Sequence, residues 1–338
     1  MLWEVVKLLT PALLLMLVQL GSSAVPVISD GHDSISSAMH IQDPFRAQEI
    51  YGALGPGAVH YYSLDLQGGE AVSIRLRRSP DPDEQGFLPG MALGARDSEE
   101  QPSGDPPLEA GVNWRRIAVK DPDAAAYEPF FPSSYRELGG LDFAAPSTGV
   151  YYLAVYSNGT PGHYSLGIGG QERLSLLERM TMPVRLLRVY MWEGQGLVTM
   201  ALPYILAVCL ALLVYWRSHH RSAFLLTGGL AGSLFLATSA SVLSQMVFCL
   251  IQAPFGPEAY ITLMIAFFHA LLGVATLRLS KGREGVLHKA IMAAIGTLAL
   301  LAGSGMVAGP AMAIAAAILP PARRAAVTAD AQTSMGPR

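Results

Sequence analysis

Side chains with the types and spacing needed for chemistry are sparse in this sequence, and His269 has the most unusual setting. It lies within the apolar run 259–277. An ionisable group in such a run is rare and usually marks either a function or a polar contact with a neighbouring segment. We expect the polar contact, through a nearby hydroxyl such as that of Thr262 or Ser241.

A haem site is the alternative interpretation of His269. His219, His220 and His288 lie near the ends of neighbouring apolar runs, and such an arrangement resembles cytochrome b561-type proteins, where paired histidines hold haem. Haem would need two axial histidines at one depth, whereas His269 lies roughly 13 Å inside Arg278 at 1.5 Å per residue. We therefore predict no bound cofactor, with His269 as the only haem candidate.

The acidic residues do not form a recognisable metal or catalytic motif. Asp81, Asp83 and Glu84 form one short group, and Asp121 and Asp123 form another. A calcium loop would carry more carboxylates and a positioned glycine, so solvated turns are favoured over calcium sites. Because the sequence also lacks the nucleophile-elbow, zinc-protease, phosphate-loop and dinucleotide fingerprints, it favours a protein that is not an enzyme.

Two loops could contact other molecules. One holds Phe130 and Phe131 between prolines, followed by Tyr135 and Arg136, and is either a partner-recognition knob or a cover over one end of a β domain; the cover is favoured. The other contains Asn158 in an Asn-Gly-Thr triplet, which fits a glycosylation acceptor on an exposed turn.

The composition indicates a membrane protein. Hydrophobic residues make up 51% of the chain and charged residues 14%, and the run 197–319 is almost continuously apolar. The net charge of −3 and the lack of a basic face argue against a nucleic-acid partner. The lipid bilayer is the first expected partner.

The elements that precede the apolar run are predicted to be a signal peptide and a β-sandwich. Residues 1–24 carry Lys7, an apolar stretch and small residues before the cleavage position. Residues 25–175 contain short alternating strands such as Val59–Leu66 and Ala71–Leu76. The strand 149–156 is predicted to form a hairpin with 163–168, and 80–107 and 121–138 are predicted to be long loops.

This strand pattern resembles a known domain family. The segments YYSLDLQGGEAVSIRL and GVYYLAVYSNGTPGHYSLGI are similar to the bacterial pre-peptidase C-terminal domain, a jelly-roll-like sandwich, over about residues 48–170. The resemblance implies folding support, adhesion, or carbohydrate or protein binding, and it assigns no role to a named residue. Similar sandwiches are joined to a few helices in uncharacterised microbial membrane proteins.

The apolar run is predicted to form about four transmembrane helices. Each stretch approaches or exceeds the ~20 residues needed to cross a bilayer, and lipid offers backbone amides no other partner. The predicted spans are 197–216, 223–251, 259–277 and 290–308, with 311–319 as a tilted extension or a re-entrant piece. An interfacial segment, 176–196, precedes them and a polar tail, 320–338, follows.

The positive-inside rule orients this bundle. Arg217 and Arg221 lie between the first two spans, and Arg278 and Lys281 follow the third, whereas 252–258 has no lysine or arginine. These charges predict that the sandwich lies outside the cytoplasm. The protein as a whole is predicted to lie in the plasma membrane or in a membrane of the secretory pathway.

Gly228 and Gly232 have the spacing that allows close helix packing. The function we expect is that of a non-enzymatic membrane protein whose exported sandwich binds or braces a partner, as an accessory subunit of a membrane complex. A haem-binding redox protein and a carbohydrate- or matrix-binding receptor are the alternatives.

Overall fold

The computed structural model describes residues 24–29, 31–84, 86–96, 108–171, 175–219, 221–282 and 285–319. Apart from Ala24, the predicted signal peptide lies outside these ranges, as does the polar tail.

The N-terminal part forms two β-sheets packed face to face. The strands are β1 (Val25–Ile28), β2 (Met39–Ile41), β3 (Gln48–Leu54), β4 (Val59–Leu66), β5 (Ala71–Arg78), β6 (Gly90–Ala95), β7 (Asn113–Ile117), β8 (Ala126–Glu128), β9 (Ser133–Ala144), β10 (Gly149–Tyr156) and β11 (Gly162–Ile168). Sheet A has the order β1-β3-β11-β5-β9-β8, and sheet B has the order β2-β4-β10-β6-β7. Inward-facing residues of both sheets, such as Leu64, Ile74 and Leu153, are fully buried between them. A two-sheet β domain is therefore confirmed.

The predicted hairpin between β10 and β11 is wrong. β10 pairs with β4 and β6 in sheet B, whereas β11 pairs with β3 and β5 in sheet A. β4 and β5 are likewise divided between the sheets. Each turn crosses from one sheet to the other, so the apolar faces of the two strands meet across the core. Alternation reveals which face of a strand is buried, but it does not identify the neighbouring strand.

The two predicted long loops contain strands. β6 lies within 80–107, between β10 and β7, and 121–138 contains β8 and the start of β9. β6 has the sequence GMALGA, and its first five residues are buried on both faces. A strand covered on both faces has no alternation to reveal it.

In the described part of the chain, six α-helices follow the sandwich. They are α1 (Leu176–Trp192), α2 (Leu197–Arg217), α3 (Ala223–Leu250), α4 (Ala259–Ser280), α5 (Val286–Leu301) and α6 (Ala308–Ile318). Among the described residues, α2, α3 and α4 are long and apolar enough to cross a membrane. α1 begins with a capping box, in which the Ser175 side chain and Glu178 satisfy each other's backbone amides.

The predicted fourth span, 290–308, is broken in the structure. α5 ends at Leu301, and α6 folds back along it, so that Lys289 near the start of α5 donates to the carbonyl of Leu319 just after α6. Gly303 and Gly305 take positive φ values of 67° and 68° in the connecting turn. Glycine adopts this left-handed conformation readily, which ends α5 there. α6 therefore packs beside α5 and does not extend it.

Candidate functional site: the junction between sandwich and helices

The first part of the junction lies between helix α1 and sheet A. Trp192 donates its indole N–H to the carbonyl of Gly52 over 2.9 Å, and its ring meets Tyr51 edge-on at 4.8 Å between centroids. At the other end of α1, Arg46 of the sandwich forms a 2.5 Å ion pair with Glu178. Contacts at both ends fix the direction of α1 against the sheet.

The second part joins the segment 127–134 to the ends of helices α3 and α4. Thr262 is fully buried and donates its hydroxyl proton to the carbonyl of Pro129 over 2.7 Å. Because a hydroxyl has one proton, the 2.7 Å bond with Tyr127 must be donated by the tyrosine. Ser134 donates to the side-chain oxygen of Gln252 over 3.0 Å. Three sandwich residues are therefore hydrogen-bonded at one end of the bundle.

A buried carboxyl group, that of Glu193, completes this set of contacts. Ser133 donates to its Oε1 over 2.6 Å, and Gln195 donates to its Oε2 over 3.2 Å. Burial raises the pKa of Glu193 to about 7, although these two hydrogen bonds lower it. Gln195 in turn exchanges two hydrogen bonds, of 2.7 and 2.8 Å, with Gln245 of α3.

Two cavities flank the segment 128–132. The outer cavity, about 370 Å³, lies between sheet A, this segment and α1, and contains Glu49 and Arg77, which form a 2.7 Å ion pair. The inner cavity, about 120 Å³, lies among the helices. Its walls come from the 130–132 segment, from helices α1 to α4, from the end of α5 and from the turn that follows it. The lining residues are Phe130, Phe131, Pro132, Met182, Pro183, Leu186, Leu187, Tyr190, Met200, Tyr204, Thr238, Ser241, Val242, Gln245, Ile265, His269, Leu301, Ala302, Gly303 and Met306.

His269 lines the inner cavity without the hydrogen bond that we expected. Only 2% of the residue is exposed, and neither ring nitrogen bonds to a described residue; Nδ1 is completely buried. The predicted bond to Thr262 is wrong because that hydroxyl lies two helical turns away and is engaged with the sandwich. Ser241 lines the same cavity but does not bond His269.

Among the residues that the structure describes, no second histidine lies beside His269 in the inner cavity. His288 lies in the first turn of α5, His219 follows the end of α2, and His220 lies outside the described residues. The geometry therefore gives no support to a haem pair.

The aromatic loop predicted as a partner contact or a cover is directed towards the helices. Phe130 and Phe131 are half-buried and line both cavities. The Tyr135 ring lies under the guanidinium of Arg77, 4.4 Å from it. Arg136 donates to the carbonyl of Pro122 over 2.6 Å. All four residues of that prediction make contacts within the chain.

One carboxylate in each acidic turn is paired with a side chain of the protein. Glu84 pairs with His163, and Asp121 lies 2.8 Å from Arg78 and 3.7 Å from Arg136. No group of three metal-ligating side chains is found in the part of the chain that the structure describes. Asn158 is exposed in the turn between β10 and β11.

Gly228 and Gly232 lie where α3 approaches α4. A Cβ atom at Gly232 would lie 2.9 Å from the carbonyl oxygen of Gly273, and one at Gly228 would lie 2.8 Å from the Cβ of Ser280. The small residues thus allow two helices of this chain to pack closely.

The junction residues Thr262, Glu193, Gln195 and Gln252 were not found from the sequence. The only available signal was a polar side chain at or near the end of an apolar run, and such residues are common at helix ends.

Comparison with known proteins identifies similar structures but no family. No family model and no curated protein matches the chain. The pre-peptidase C-terminal domain of a Bacillus anthracis collagenase is similar at 17% identity and a TM-score of 0.21, over 38% of this chain and 91% of that domain. The periplasmic g-type lysozyme inhibitor PliG of Aeromonas hydrophila is similar at 14% identity and a TM-score of 0.24, over 43% and 99%. CorA, a surface-associated copper-binding protein of Methylomicrobium album BG8, is similar at 11% identity and a TM-score of 0.22, over 43% and 100%.

The domain that the strand pattern resembles is thus among the similar solved structures. The chain combines a two-sheet β domain with three helices that, among the described residues, are long and apolar enough to cross a membrane.

Proposed function

We propose that this chain is a non-enzymatic integral membrane protein whose exported sandwich, held on the outer ends of the helices, binds a protein partner. The proposed orientation in the membrane rests on the position of the junction relative to the basic residues. Its hydrogen bonds lie beside the start of α2, the end of α3 and the start of α4. Arg217, Arg221 and Arg278 lie at the opposite ends of the same helices. By the positive-inside rule, these charges favour a cytoplasmic position for the ends away from the sandwich.

The exposed surface of α2 supports insertion in lipid. Val198 is 77% exposed and Leu210 is 61% exposed, and seven more large hydrophobic residues of this helix are also exposed. A contiguous apolar face of this length would be a strong aggregation site in water, whereas it is solvated by hydrocarbon in a bilayer.

The surface we propose for the partner is the outer face of sheet B, here called the distal face. Sheet A has its outer side covered by α1 and the segment 128–135, so the distal face is directed away from the helices. Part of this face is covered by the chain itself, because Tyr152 and Tyr156 are buried with Ile35, Leu108 and Val112. Arg96 is exposed and lies 5.5 Å from the Tyr152 ring, and Arg116 lies 4.8 Å from the Tyr156 ring. Arginine is enriched where protein partners bind tightly.

Charge reversal on the distal face tests this proposal. The full chain is cross-linked in its native membrane and purified in mild detergent, as wild type, as Arg96→Glu and as the control Lys120→Glu. Both substituted side chains are exposed. We expect a protein that co-purifies with the wild type and with Lys120→Glu to be lost from Arg96→Glu. A wild-type chain that purifies alone, or the same partner with all three, would contradict the proposal.

A further inference from the structure

The described residues that line the inner cavity include no aspartate, glutamate, lysine or arginine. A ligand with a charged headgroup would therefore have to be buried without a counter-charge, which is strongly unfavourable. The lining selects for a molecule that is uncharged throughout.

Several polar groups of this cavity are hydrogen-bonded within the chain, whereas the buried ring of His269 is not. Thr238 donates to the carbonyl of Leu234 over 3.2 Å and accepts the backbone N–H of Gly305 over 2.7 Å. Gln245 is bonded to Gln195. The imidazole of His269, 98% buried, keeps both a donor and an acceptor nitrogen without a partner in the described part of the chain. Buried polar groups in proteins are almost always hydrogen-bonded, so an unpaired imidazole in a cavity wall indicates a missing partner.

The remaining walls suit hydrocarbon. Three of them are methionines, Met182, Met200 and Met306, whose flexible side chains adapt to chains and rings of different shape. The volume of about 120 Å³ is close to that of cavities that take up a benzene-sized group, about 150 Å³ in an engineered case. The cavity can hold the polar end of an amphiphile and its first few carbon atoms, while the rest of the chain extends into the bilayer.

We propose that the inner cavity binds a neutral amphiphile, whose one uncharged hydrogen-bonding group is held by His269 and whose hydrocarbon packs against the methionines. Since His269 lies seven residues beyond Thr262 in α4, the polar group would be held roughly 10 Å below the sandwich contact. The inference uses the membrane part of the proposed function and is independent of the protein partner.

Photolabelling of the full chain in detergent tests the inference. The probe is a hexadecanol derivative that carries a diazirine near its hydroxyl group. We expect labelling on peptides that contain Met182, Met200 or Met306. Unlabelled hexadecanol should compete, whereas hexadecyl phosphate, which is charged, and hexadecane, which has no polar group, should compete at least tenfold more weakly.

Three variants localise the binding. His269→Leu should weaken labelling about tenfold, the effect of losing one buried hydrogen bond. Met200→Trp should abolish labelling by filling the cavity, and Leu210→Trp, on the exposed side of the same helix, should leave it unchanged. Thermal unfolding reports whether each variant is folded; the three competitors on the wild-type chain remain decisive if a variant is not.

Equal competition by hexadecyl phosphate, or undiminished labelling of a folded Met200→Trp chain, would overturn the inference. Neither result would affect the proposed function, because orientation and partner binding are measured separately.

Discussion

The buried carboxyl group of Glu193 predicts a junction that weakens as the pH rises. Burial raises its pKa from 4.5 to about 7. Between these values the native state binds more protons than the unfolded state, so the free energy of unfolding falls with increasing pH. At 1.36 kcal/mol per pH unit, the full loss above pH 7 is roughly 3 kcal/mol, and about 2 kcal/mol of it falls between pH 5.5 and 8.

Replacement by glutamine removes this pH dependence. In Glu193→Gln the side-chain oxygen still accepts from Ser133, but the new amide group faces the amide of Gln195 and loses that 3.2 Å bond. A lost hydrogen bond of this kind costs about 1 kcal/mol. We expect the variant to be more stable than the wild type by roughly 2 kcal/mol at pH 8 and nearly equal to it at pH 5.5.

The assay is thermal unfolding of the purified chain in detergent at both pH values, followed by the fluorescence of Trp192 and the other tryptophans. Glu178→Gln is the matched control. Burial raises the pKa of Glu178, but hydrogen bonds with Ser175 and Arg46 outweigh it and lower the pKa to about 2. Its stabilisation is present above its ordinary value of 4.5, so this variant should be less stable by the same amount at pH 5.5 and 8. A wild-type chain whose stability is flat or rises over this interval would refute the reasoning, as would an unchanged slope in Glu193→Gln.

Three further predictions concern packing, docking and modification. Gly232→Ala places a Cβ within 3.0 Å of backbone atoms of α4 and should lower stability by about 1–3 kcal/mol, whereas Gly229→Ala, which meets nothing within 4 Å, should not; thermal unfolding compares them. Thr262→Val removes two junction hydrogen bonds while keeping the side-chain shape, so it should lower the free energy of unfolding by about 2 kcal/mol and speed proteolytic release of the sandwich. Equal release rates for the variant and the wild type would count against the docking. Asn158→Gln should abolish a glycan-sized shift in gel mobility when the chain is produced in a glycosylating host, and a shift that persists would assign the modification elsewhere.

Local patterns predicted those elements of the fold in which one face is buried. The alternation in 59–66 and 71–76 identified β4 and β5, and the apolar runs identified α2, α3 and α4. Strand partners were not predictable, because the same alternation serves a hairpin and a crossing between sheets. β6 was missed for a related reason: it is covered on both faces and does not alternate.

The end of the fourth apolar run shows how one residue can be interpreted in two ways. Gly309-Pro310 looks like the break in the run, but Pro310 lies in the first turn of α6. Backbone N–H groups in a first turn have no acceptor within the helix, so the N–H that proline lacks costs no hydrogen bond there. The chain reverses earlier, at the left-handed Gly303 and Gly305.

The junction itself was beyond a local pattern. Tyr127 and Thr262 are 135 residues apart, and only the assembled fold brings them within 2.7 Å. The sequence marks Phe130 and Phe131 as a distinctive pair between prolines, but their position beside the helices depends on the same docking of the sandwich.

Cysteine accessibility tests the central claim most directly, namely that the sandwich and the basic helix ends lie on opposite sides of a membrane. Asn158→Cys and Lys281→Cys are made separately in a Cys209→Ala chain, in which the buried Cys249 should stay unreactive. Sealed vesicles with the cytoplasmic face outward are treated with a membrane-impermeant maleimide. We predict labelling of Cys at 281 in intact vesicles and of Cys at 158 only after permeabilisation. Labelling of position 158 in intact vesicles, with position 281 protected or labelled equally, would contradict the account.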